Sequence, residues 1–311
     1  MAAVNKKNGL IELFRFLCSI WVAYFHGFFP ISSDKFNGVI LPVDFFFIVT
    51  GFFFLQSIEK YKETPYWQGV RDIIWSRIKR FIVPLIIAFM SICLCNILFP
   101  MDMGFNWPLS FLWFFAAQFL LLALFYLLSK KIKSKTIYNV ICIAVVATFL
   151  FLSKISGRPM DIPFRSPAMM AVGILLSQIP KIDIKLKSEK GTRNLNLLIN
   201  VVGFLIAAAT FIYLAYLPEN AIWKIHFLCC LICPAVVYFA TSIPVHSKFL
   251  NFLGEFSVFI YLAQCPILFH HYAVSENAQD QFIWLCVCAV AMFVLNRIIN
   301  AKLNKAKPIK N

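Results

Sequence analysis

The stretch RFLCSIWVAYFH carries a guanidinium and an imidazole, Arg15 and His26, eleven residues apart with no other charged group between them. Eleven helical steps of 100° come to about 1100°, so both project from nearly one face of a helix, about 16 Å apart along its axis. An arginine can hold an anion or stabilise developing negative charge, and a histidine can take a proton from a hydroxyl. Glu12 and Ser19 extend the polar face toward the N-terminus. The plainer alternative is a structural Glu12–Arg15 pair near one membrane surface and a His26 solvated at the other. Asp44, in the next apolar run, falls at nearly the depth of His26 and could orient and charge-balance an imidazole; it could equally be an interfacial charge or a partner for Lys35. Arg77 and Arg80 share a helix face at i, i+3, where paired guanidiniums grip phosphates bidentately. Basic residues flanking a membrane span would look the same.

Those residues sit in a chain of 311 residues that is 61% hydrophobic and only 14% charged, with 35 phenylalanines. Such a mix is far from that of a soluble domain. The net charge of +15 does not point to nucleic acid, because Lys and Arg gather in short loops between apolar runs of membrane-spanning length. The expected fold is all-α, a polytopic bundle of about ten transmembrane helices near 9–29, 38–57, 81–100, 109–128, 136–153, 164–180, 195–217, 222–243, 249–270 and 281–300. The sixth is the shortest signal, begun by Pro163 and Pro167 and ended by Pro180. Lys and Arg concentrate at the N-terminus, in loops 58–80, 129–135, 181–194 and 244–248, and in the tail, which places both termini in the cytoplasm.

The N-terminus lacks a small-residue cleavage site, so the first helix is expected to stay in the mature protein. The chain reads as one domain, 1–311, with a core of about 10–300 and a basic cytoplasmic tail, 301–311. Segment 58–80 has the makings of an amphipathic helix along the inner surface. The ten cysteines all fall within apolar runs, as small buried residues do, and no metal is expected.

Further polar residues in apolar surroundings are Gln118, His226, Glu255, Tyr261 and Gln264. Each could line a cavity or simply hydrogen-bond between helices. Gln264 is the foremost of them because its depth matches that of His26. His270 and His271 read as interfacial. No phosphate-binding glycine loop, G-x-S-x-G elbow or H-E-x-x-H occurs, which sets aside nucleotide hydrolysis and serine or zinc hydrolysis.

In this order, GLIELFRFLCSIWVAYFH, VDFFFIVTGFFF, SRIKRFIVPL and LGEFSVFIYLAQCPIL resemble the acyltransferase 3 family of integral-membrane acyltransferases. FRSPAMMAVGILL, with Arg165 and Gly173, resembles a further element. The likeness runs from about residue 10 to 300. Thr50 stands where the family more often has Ser, and Gln264 where it often has His. The resemblance implies an O-acyltransferase of the inner (cytoplasmic) membrane that moves acetyl from acetyl-CoA to a hydroxyl of a cell-envelope glycan or lipid-linked sugar. It implies His26 as base, Arg15 and Asp44 beside the chemistry, and Arg77 and Arg80 on the donor's phosphates, with Glu12, Arg165, Tyr261 and Gln264 as cavity-lining candidates. The competing reading is a transporter or flippase that passes an anionic lipid-linked substrate along the Arg15–His26 face.

Overall fold

The computed structural model describes residues 7–28, 40–98, 113–156, 162–214, 222–273 and 277–305. Within them the side chains of 24–28, 265–273 and a few helix ends lie outside the description. All regular structure among the described residues is helical. The helices are α1 (Gly9–Phe28), α2 (Ile40–Phe52), α3 (Phe54–Ile58), α4 (Tyr66–Leu98), α5 (Trp113–Lys131), α6 (Lys135–Ser156), α7 (Ile162–Leu176), α8 (Glu189–Leu214), α9 (Ile222–Ser242), α10 (Lys248–Ala273) and α11 (Ala278–Lys305), with a 3-10 turn at Glu59–Tyr61.

Two short helices form the centre. On α2, Leu41, Val43, Phe45, Phe47 and Ile48 are all buried, and on α7 so are Ala168, Met169, Met170, Ala171 and Ile174. Helices apolar on nearly every side, with their one charge apiece paired to each other at Asp44 and Arg165, belong in the interior. Glycine sets how closely the two approach. A Cβ on Gly51 would run into the Met170 carbonyl, and one on Gly173 into the Ile48 carbonyl. The helices therefore meet main chain to main chain, as small residues allow inside a membrane. Gly173→Ala should lower stability by about 1–3 kcal/mol through overpacking, read as a fall in melting temperature in detergent. Gly191→Ala, whose added methyl meets only ordinary contacts at 3.5 Å or more, should leave it unchanged.

The surrounding helices bury one side and show apolar residues outward: Ile86, Met90 and Ile97 on α4, Ile137, Val140 and Ile143 on α6, Leu198, Leu205 and Ile206 on α8, and Ile283, Val287 and Val294 on α11. Apolar surface on that scale suits lipid contact. Five described helical segments are long and apolar enough to cross a membrane: Trp113–Lys131, Lys135–Ile155, Glu189–Leu214, Lys224–Ser242 and Gln279–Lys302. A bent pair, Leu41–Phe52 and Phe54–Tyr61, makes a sixth if taken as one span.

Two expectations need correction. The second segment is not one straight span over 38–57, because the chain turns by 44° between α2 and α3, just after the glycine that seats α2 on α7. Nor does a separate surface helix precede the third span. Residues 66–98 form one helix of 33 residues, about 50 Å long. No glycine or proline stands between Val70 and Val83 to interrupt it, and Pro84 is accommodated inside the helix. Its polar first half still has an interfacial character, with Trp67 and Trp75 exposed and Lys79 Nζ 5.4 Å from the Trp75 ring centroid.

Candidate active site

A cavity of about 650 Å³ opens between α1, the α2–α3 bend, α4, α5 and α10. This lies within the range of small-molecule sites. α1 presents it with Glu12, Arg15 and Ser19, α4 with Arg77 and Arg80, and α10 with Ser257 and Tyr261. Periodicity explains the α1 set. Ile11, Cys18 and Val22 are buried in the bundle, while the stripe through Glu12, Arg15 and Ser19 runs beside them along the cavity. Glu12 is pinned where Gly254 leaves room on α10, since a Cβ there would collide with the Glu12 carboxylate. Arg15 Nη1 donates to both Glu12 oxygens, at 3.1 and 3.2 Å. That pair exists as the plainer reading held, yet it also lines the cavity.

Arg77 and Arg80 have no carboxylate partner among the described residues; the Arg80 guanidinium lies 5.5 Å from the Phe81 ring centroid. Both precede the apolar stretch that begins at Phe81. Burial and then the nearby Arg15 push the guanidiniums of Arg77 and Arg80 below their ordinary pKa, with Arg77 adding to the effect on Arg80. Arg80 is itself exposed and opens onto the cavity. Three guanidiniums against one lining carboxylate, Glu12, make this wall strongly cationic.

Aromatic rings close another side. Tyr261 packs against Phe114 and Phe115, with centroids 5.4 and 5.8 Å away. Beside them the Gln118 amide donates to the Thr50 hydroxyl at 2.8 Å, and Thr50 donates to the Phe46 carbonyl at 2.9 Å. The hydroxyl thus bridges α2 and α5 at the cavity wall.

Asp44 lies elsewhere, on the face of α2 turned toward α7 and α9. Arg165 Nε is 2.9 Å from Asp44 Oδ1, an ion pair, and His226 Nδ1 is 3.6 Å from Oδ2; neither contact has hydrogen-bond alignment. Asp44 and His226 are fully buried and Arg165 nearly so. Phe149 stands edge-on to the His226 ring, 5.1 Å between centroids. Depth alone suggested His26 as the Asp44 partner. α1 carries the His26 backbone, two turns beyond Ser19, while its side chain, like Lys35 and the side chains of His270 and His271, lies outside the described residues. Gln264 is fully buried on α10, outside the cavity lining, and neither amide atom has a hydrogen-bond partner among the described residues.

Of the residues singled out from sequence, the cavity therefore brings together Glu12, Arg15, Ser19, Arg77, Arg80, Gln118 and Tyr261, and leaves Asp44, Arg165, His226 and Gln264 in the buried interior. Three features were missed. The Thr50–Gln118 bridge and the proximity of His226 to Asp44 join helices distant in sequence. Lys181, which also lines the cavity, was hidden in a basic loop; its place directly after Pro180, at the end of a central helix, was the available signal.

No curated protein and no solved structure matches the chain. The family model described as an acyltransferase domain, that of acyltransferase 3, matches residues 8–300 and so takes in every helix that builds the cavity. The chain belongs to the acyltransferase 3 family and is a membrane acyltransferase.

Proposed function

We propose that the protein is an acyl-CoA-dependent O-acetyltransferase of the inner membrane, with ten spans and both termini in the cytoplasm. The acceptor would be a hydroxyl of a cell-envelope glycan or lipid-linked sugar. The observation that carries this reading is the convergence of Arg15, Arg77 and Arg80, from helices far apart in sequence, on one cavity with a single described lining carboxylate. A polyanionic donor is the natural occupant of such a wall. Bound acetyl-CoA supplies an activated thioester. Arg77 and Arg80 hold its diphosphate by charge-assisted hydrogen bonds. Arg15, fixed in direction by Glu12, stabilises negative charge deeper in the cavity. His26 takes the proton of the acceptor hydroxyl as that oxygen attacks the thioester carbon, and returns it to the departing thiolate.

Equilibrium binding of labelled acetyl-CoA to the purified protein tests the donor assignment. Arg77→Ala and Arg80→Ala should each weaken binding by about 10–100-fold, the loss of one or two charge-assisted hydrogen bonds, and wild-type affinity should fall with added salt. Unaltered affinity in both variants would return these arginines to a purely topological role. A transporter or flippase would require neither acetyl-CoA binding nor transfer of label.

A further inference from the structure

The cavity has a second cationic pole. Lys181, in the loop between α7 and α8, lines it from the side of α9, whereas Arg77 and Arg80 stand on α4. The two are carried by different parts of the bundle: α9 packs chiefly on α8 and α2, and α4 on α10, α5 and α11.

Lys181 is a placed side chain. Its ammonium donates to the Tyr238 carbonyl at 3.0 Å and to the Thr241 hydroxyl. It lies 4.7 Å from the Tyr238 ring centroid and 5.6 Å from that of Phe52. The Tyr238 hydroxyl donates to the Pro180 carbonyl at 2.7 Å, tying the loop to α9. Both hydrogen-bond acceptors are neutral, and no carboxylate among the described residues pairs with the ammonium. One of its three N–H donors is left over. Burial pushes the amine down to about 8, a cost to the charged form that an anion would relieve. Lys7, which also lines the cavity, is different because it pairs with a carboxylate, Glu255 at 3.2 Å, which it shares with Arg297.

One cationic pole suits a single phosphate group. Two separate poles suit a ligand with two separated anionic centres, and coenzyme A has two: the diphosphate and the phosphomonoester on its ribose. We infer that Lys181 binds the ribose 3′-phosphate of the donor while the arginine pole takes the diphosphate, so that Lys181 sets selectivity for CoA over dephospho-CoA. The inference rests on the acetyl-CoA reading above. It assigns Lys181 a specificity role in binding, with no part in the chemical step.

The test compares binding of acetyl-CoA and 3′-dephospho-acetyl-CoA to the purified full-length protein and to Lys181→Met and Lys181→Arg. Wild type should prefer acetyl-CoA by about tenfold or more, as expected for one charge-assisted contact. Lys181→Met should lose that preference while binding the dephospho donor as wild type does, which also reports an intact fold. Lys181→Arg should keep it. A Lys181→Met protein with the full preference, or one weakened equally toward both donors, overturns the assignment. Failure of wild type to bind acetyl-CoA at all would instead overturn the donor reading on which it rests.

Discussion

His26→Ala should lower acyl transfer by about 10²–10⁴-fold, the usual contribution of a positioned general base, and leave acetyl-CoA affinity within about twofold of wild type. The split follows from where the groups lie along α1. Arg15 and the arginines of α4 share one cavity, and His26 is eleven residues farther on, about 16 Å along the axis. A change at that distance removes proton transfer and spares phosphate contacts. Single-turnover transfer of labelled acetyl, measured beside equilibrium binding, separates the two. Full transfer by His26→Ala would remove the base assignment. A parallel loss of donor binding would mean that His26 supports the fold of α1.

Arg165→Ala should destabilise the protein by about 3–5 kcal/mol, because it leaves the Asp44 carboxylate buried without its guanidinium. His226, 3.6 Å from Oδ2, would remain beside the carboxylate. The expected readout is a large drop in folded yield and melting temperature in detergent. The double variant Asp44→Asn with Arg165→Met should recover most of the loss, since removing both charges also removes their desolvation cost. A single variant as stable as wild type would show that the pair contributes only packing. This cluster sits on the opposite side of α2 from the cavity, so the double variant should also retain donor binding, which distinguishes a framework role from a direct one.

The two sets of residues differ in how far they could be read in advance. Along a single helix, periodicity is enough: Glu12, Arg15 and Ser19 do share a face, and Arg77 and Arg80 do reach one cavity. Between helices, hydropathy gives height in the membrane but not rotation or neighbours. Asp44 was matched to His26 by depth, yet its described partners, Arg165 and His226, come from α7 and α9, and nothing in an unaligned sequence says which helices touch α2. The α2–α3 bend escaped because it follows the close tertiary contact at Gly51, while the proline of that run, Pro42, lies about three turns earlier. The α4 helix escaped for the opposite reason. A change from polar to apolar composition looked like a boundary, although the backbone has no cause to break there. Lys181 was concealed by its setting, because positive charge in that loop was already explained by topology.

The Gly51–Gly173 contact governs more than stability. Where two helices rest carbonyl against backbone, neither can slide or roll until the main chains lift apart, so α2 and α7 are a single mechanical piece. Helices that meet through side chains can yield by changing rotamers. Any widening of the cavity is therefore shared among α1, α4, α5, α10 and the end of α9, which line it, around a keel that stays still.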